Sequence, residues 1–113
     1  MTQYNVNFER TFPFSNQTFS ALLAASTALG VTIPGTSSML YRAKFACSST
    51  AEIWMRKNGT ATAPSSNTSA TTSNQELVPL DECRYVQGGD TLSFISAGTP
   101  SLSVSLLLVQ DNS

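Results

Sequence analysis

The sequence predicts an all-β chain, an antiparallel β-sandwich of jelly-roll type with about 7–8 short strands. Three observations carry this. Apolar residues recur at every second position along nearly the whole length. Turn-forming residues interrupt that alternation roughly every eight to twelve positions. With 113 residues and no internal repeat, the chain makes one ordinary domain, residues 1–113. A closed barrel is the weaker alternative.

The opening segment puts Tyr4, Val6, Phe8, Phe12 and Phe14 at even positions, with Asn5, Asn7, Glu9 and Thr11 between them. Arg10 interrupts the row. Pro13 marks an edge strand or a strand end, because proline donates no ladder hydrogen bond. Residues 1–16 therefore read as an edge strand or an interface arm, and Ser15-Asn16 as a turn. The stretch from Thr18 to Gly30 supports two readings. Phe19, Leu22, Leu23 and the alanines suit a short helix capped by Ser20 and stopped by Gly30. Thr27, Val31, Thr32 and Ile33 suit a strand before Pro34-Gly35. The preferred reading is one irregular or helical turn, then a strand from about Ala28 to Ile33.

The middle alternates cleanly. Met39, Tyr41, Ala43, Phe45 and Cys47 share one face, and Leu40, Arg42, Lys44 and Ala46 the other. After Ser48-Ser49-Thr50 the chain returns over Glu52 to Lys57, with Ile53 and Met55 opposite in phase to Trp54 and Arg56. Two alternating runs joined by a short polar link predict a hairpin. Asn58-Gly59 follows, a dipeptide suited to the positive φ of a tight turn. Later strands are Glu76 to Leu80, Arg84 to Gln87, Thr91 to Ser96 and Ser101 to Gln110, separated by Gly88-Gly89-Asp90 and Ala97-Gly98-Thr99-Pro100. The last strand becomes continuously apolar at Leu106-Leu107-Leu108-Val109, which predicts cover on both faces there.

Residues 59–75 stand apart. They hold no charge and no apolar side chain larger than alanine, so they cannot offset their own ordering entropy by burial. An exposed Ser/Thr-rich loop is expected, either passive or ordered against a neighbouring chain, with Asn67 and Thr68 as its candidate contacts.

Composition excludes several functions. Charged residues make up 12% of the chain, and 6 Lys+Arg oppose 7 Asp+Glu. No basic excess exists to neutralise phosphates, so no nucleic-acid partner is expected. The absence of histidine removes Ser-His-Asp and Cys-His catalysis and the common zinc sites. The longest apolar run falls far short of the ~18 residues that cross a bilayer, so no membrane partner is expected. The first residues lack the basic and apolar regions of a secretory signal, which points to folding in a cytoplasm. Cys47 and Cys83 match no metal spacing and read as reduced thiols or, failing that, a disulfide. The three Asn-X-Ser/Thr sequons are expected by chance in a chain this rich in Asn, Ser and Thr.

No catalytic, cofactor or metal residues are assigned. The only clustered acids, Asp81, Glu82 and Asp90, sit where solvated carboxylates are ordinary, although a hydrolase or a calcium site could be built on them. Arg56-Lys57 beside Trp54 suit either ring stacking or a charged sheet edge. Trp54 with Tyr41 or Tyr85 is the platform that a carbohydrate-binding module would need. Five of the nine Phe and Tyr residues fall in the first 19 positions, in the domain's own core or at an interface. The candidate protein-contact residues are thus Tyr4, Phe8, Phe12, Phe14, Trp54, Asn67 and Thr68.

Several runs carry a family resemblance: Tyr41-Arg42-Ala43-Lys44-Phe45, Ala51 to Ala61 with the Ser/Thr loop behind it, Arg84-Tyr85-Val86, Gly88 to Ser96, and Leu102-Ser103-Val104. Over roughly residues 39 to 109 the chain resembles small virion structural proteins of tailed bacteriophages, in particular jelly-roll decoration or cement proteins of capsid exteriors. The resemblance implies a non-enzymatic protein without cofactor, made in the bacterial cytoplasm and placed on the capsid exterior. Its implied partner is the major capsid protein. Self-association as a dimer or trimer is expected on a separate ground, because exposed edge strands of a sandwich invite pairing. A tail, fibre or head–tail component of the virion is the alternative.

Overall fold

The structure, a computed structural model, describes residues 14–48, 52–64, 75–80 and 82–111. Among these residues eight strands follow one another: β1 Gln17–Leu22, β2 Leu29–Thr32, β3 Met39–Cys47, β4 Ile53–Lys57, β5 Gln75–Leu77, β6 Cys83–Gln87, β7 Thr91–Ser96 and β8 Ser101–Asp111. They form two four-stranded sheets with the orders β1-β8-β3-β6 and β2-β7-β4-β5. Every pairing is antiparallel. Only the β4–β5 connection stays within a sheet; every other connection crosses between the two. This is the eight-stranded jelly roll.

The alternation seen in the sequence sorts side chains between the sheets and the outside. Phe45, Phe94, Leu92, Leu102, Val104 and Ile33 are each at most 2% exposed and fill the space between the layers. Phe94 is central to it. Its ring centroid lies 6.2 Å from that of Phe19 in β1 and 6.4 Å from that of Phe45 in β3, so one side chain from the second sheet meets two strands of the first.

Several expectations are corrected. First, no helical turn forms after Thr18; residues 17–22 are a strand in register with β8, Phe19 opposite Val104 and Ala21 opposite Leu102. The core demand on Phe19 and Leu23, with Ala21 half-buried between them at the same period of two, overrides the helical spacing of the alanines. Second, β3 and β4 are not a hairpin. β3 pairs with β6 and β8, and β4 with β5 and β7, so the link between them arches from one sheet to the other. Alternation specifies which face is buried, not which strand lies alongside.

Third, double-sided cover of the last strand stops short of its end. Leu107 and Leu108 are half-buried, but Val109 is 43% exposed. Tyr41 faces Leu108 and Leu40 faces Gln110, so Val109 is the extra residue of a β-bulge and turns outward. Fourth, the Ser/Thr-rich loop is not wholly exposed. Ala61 is 1% exposed, its N–H donating to Ser93 Oγ at 2.9 Å. The Gln75 amide accepts from Thr62 N–H at 2.9 Å and donates to Thr62 O at 2.7 Å. The strand expected over Glu76 to Leu80 is the shorter β5.

Neither cysteine is in a disulfide. Cys83 stands opposite Lys44, and Cys47 lies three residues further along β3, which separates the two Cα atoms by roughly 10 Å, beyond disulfide reach. Both thiols are expected to titrate with a thiol-specific reagent in the native chain, and mobility on a denaturing gel is expected not to change on adding reductant. A loss of thiol titre under mild oxidation, without dimer formation, would contradict this register.

Candidate protein-contact site

The outer face of the second sheet carries an unusual row. In β4, Ile53 and Met55 enter the core, which turns Trp54 and Arg56 outward. Register places Trp54 directly between Ile95 of β7 and Leu77 of β5. Cross-strand neighbours of this kind touch, so Ile95, Trp54 and Leu77 make a continuous apolar strip across three strands. Ile95 and Trp54 are half-buried and Leu77 is 47% exposed.

The next row, Ser93–Arg56–Gln75, is roofed by the chain that follows β4. Asn58 takes a positive φ of 57° and reverses the chain. Its N–H donates to Thr91 O at 2.8 Å, and its Oδ1 accepts from Thr91 N–H at 2.9 Å. Gly59 then passes so close over Arg56 that a Cβ there would lie 2.4 Å from the guanidinium Nε. Arg56 Nη1 donates to Thr60 O at 3.4 Å, while its Nε is buried without a hydrogen-bond partner. The roof from Asn58 to Thr62 is thus tied down at Thr91, Ser93 and Gln75. It forms a fixed wall beside the apolar strip.

Neither role expected for Arg56-Lys57 survives. β4 is an interior strand of its sheet, and the Arg56 head lies under backbone rather than beside an open ring. Phe14 is fully exposed and lies outside the strands, at the rim of a depression of about 520 Å³ on the outer face of the first sheet. The depression is floored by Thr18, Lys44, Ala46, Ser103 and Ser105, whose mostly short side chains leave it shallow. Tyr4, Phe8, Phe12, Asn67 and Thr68 lie outside the described residues, as do the strand expected around the first three of these positions and Asp81.

Two alternative sites fail on geometry. Tyr41 is a core residue, 2% exposed, and Tyr85 is exposed on the outer face of the opposite sheet. Trp54 therefore shares no platform with either. Of the acids, Glu82 receives Arg84 at 3.0 Å before β6 begins. Asp90, past the other end of β6, accepts from Gln87 N–H at 2.9 Å and from the Asn58 amide at 3.4 Å. These carboxylates serve a turn and an ion pair and do not converge. Among the described residues, no three His, Cys, Asp or Glu residues stand where they could hold a metal ion.

Arg84 joins the two sheets at their common edge. From β6 it donates through Nε to Glu76 Oε1 at 2.8 Å and through Nη2 to Oε2 at 3.3 Å, Glu76 being on β5 of the other sheet. The hydrogen bonds to Glu76 and then Glu82 raise its pKa above the ordinary arginine value. Both side chains are over a third exposed, so the pair is worth at most about 1 kcal/mol.

Trp54 stands out in the sequence; Ile95 and Leu77 do not. The available signal is phase. Ile95 is apolar at a position opposite to Leu92 and Phe94, which an inward-only pattern does not require. Comparisons with family models, with curated proteins and with solved structures find no match to this chain.

Proposed function

We propose that this protein is a non-enzymatic virion structural protein that decorates a phage capsid exterior and stabilises it by bridging coat-protein subunits. The observation that carries the reading is the Ile95–Trp54–Leu77 strip, set on a rigid sheet and walled by the tied-down Asn58–Thr62 segment. A small body that must seat on many equivalent copies of one surface gains affinity from a preorganised apolar anchor with a central aromatic. Repetition over the shell multiplies it. The coat protein as occupant comes from the resemblance over residues 39 to 109, and Phe14 with the aromatic segment before it offers a second contact.

Co-sedimentation with purified undecorated expanded heads tests the proposal. Saturable binding at micromolar concentration or below is expected, with copy numbers in the hundreds per particle. Trp54→Ala is expected to weaken it by at least about tenfold, as for a central aromatic anchor, with an unchanged circular-dichroism spectrum. Absence of saturable binding would count against the reading. A few copies per particle would move the protein to a tail, fibre or head–tail position, which the same fold would serve.

A further inference from the structure

The cavity at the open edge of the sandwich carries a second inference, independent of any shell partner. Between β5 and β6 none of the described strands closes the gap between the two sheets, and a cavity of about 300 Å³ opens there. Its floor is core: Phe45, Met55, Val86 and Leu92, none more than 6% exposed. At roughly 30 Å³ per small group this is room for about ten non-hydrogen atoms. An apolar cavity with a few polar groups at its mouth is the ordinary form of a small-molecule site.

The polar groups at the mouth narrow the chemistry. Gln75 is held at both ends of its amide by Thr62, and Glu76 receives two guanidinium hydrogen bonds from Arg84. None of these three is left over for a ligand. Lys57 is different. It stands opposite Leu92 at an inward-facing register position, lines the cavity, and carries no ion pair among the described residues. One unengaged cation above an apolar floor is complementary to a single negative charge on an apolar body.

We propose that this cavity binds a small aliphatic monocarboxylate, its chain against Phe45, Met55, Val86 and Leu92 and its carboxylate at Lys57 Nζ. The Arg84–Glu76 pair forms the far side of the mouth and keeps its own hydrogen bonds. The carboxylate therefore lies on the β4 side, away from Glu76.

Octanoate, with ten non-hydrogen atoms, is the probe. Titrated into the full-length ¹⁵N-labelled chain, it is expected to shift the amides of Met55, Lys57, Glu76, Val86 and Leu92 saturably, with a Kd of about 0.1–1 mM. Lys57→Gln, an exposed substitution that leaves the core intact, is expected to weaken octanoate at least about threefold and to leave 1-octanol unchanged. Non-saturable shifts, shifts centred on the Trp54 face, or equal affinity of Lys57→Gln for octanoate would each overturn the assignment. Failure here leaves the decoration proposal untouched, because octanoate and the shell engage opposite faces of β4.

Discussion

Phe94→Ala is expected to remove about 3–5 kcal/mol of folding stability, the largest loss from any single truncation among the described residues. Phe94 is 0% exposed and meets Phe19 and Phe45 across the sandwich. Truncation loses the transfer free energy of a whole ring and the tilted and edge-on contacts with two others. It also leaves a hole at the point where β1, β3 and β7 converge. The surroundings cannot collapse into it, because all three strands are held by ladders on registers that a shift would break. Domains of this size have roughly 5–15 kcal/mol in total, so the variant is expected to unfold at a far lower urea concentration with a similar slope. A loss under about 1.5 kcal/mol would mean that the two sheets are less closely packed than described.

Gly88→Ala comes second, and the reason is backbone contact, not conformational freedom. Gly88 begins the β6–β7 turn, its N–H donating to Met39 O at 2.9 Å. A Cβ there would lie 2.3 Å from Thr36 O and 2.7 Å from both Gly35 C and Thr36 N. No side-chain rotation relieves such overlaps; the β2–β3 connection must move away from the turn. Gly89 N–H also donates to Ile33 O at 2.9 Å, so the movement strains a second link. Overpacking of this kind is expected to cost about 3 kcal/mol. Gly89→Ala supplies the contrast. Gly89 has a φ of 89°, and a Cβ added there would meet nothing within 4 Å, so only the left-handed backbone is penalised, by about 1 kcal/mol. Urea melts of the two variants measured together check this. Equal losses would show that the two loops are not pressed together as described.

Under the proposed bridging role, the apolar strip and the fixed loop beside it would supply a preorganised contact surface. Among the described residues, Asp90 and Gln75 hold turn and loop ends, and Arg84 with Glu76 makes an inter-sheet ion pair. Asn58 links β4 to β7, and Asn16 Oδ1 accepts from Leu108 N–H at 2.8 Å just outside β1. Such contacts stiffen the ends of the sandwich.

Much of this is readable in the sequence. Alternation over residues 39–47, 53–57 and 91–96 marks β3, β4 and β7, because a strand with one face in a core must repeat every second residue. The same rule separates Trp54 from Ile53 and Met55. Turn residues mark the breaks, since Asn58 and Gly89 supply the positive φ that other residues resist.

Pairing is not readable, and with it most of the candidate site. Period two states only that a face is buried; the covering strand can stand next to it or opposite it. That ambiguity turns a between-sheet arch into an expected hairpin, and it hides the juxtaposition of Ile95 and Leu77 with Trp54, which are 41 and 23 residues away along the chain. Arg56 passes from solvent to cover for the same reason, through a loop whose composition predicts exposure and whose Ala61 finds a partner in Ser93. Local sequence thus determined which side chains face inward, because the pleat is a property of each strand alone. Tertiary structure decided which strands became neighbours, because long-range registers depend on the packing of all eight strands together.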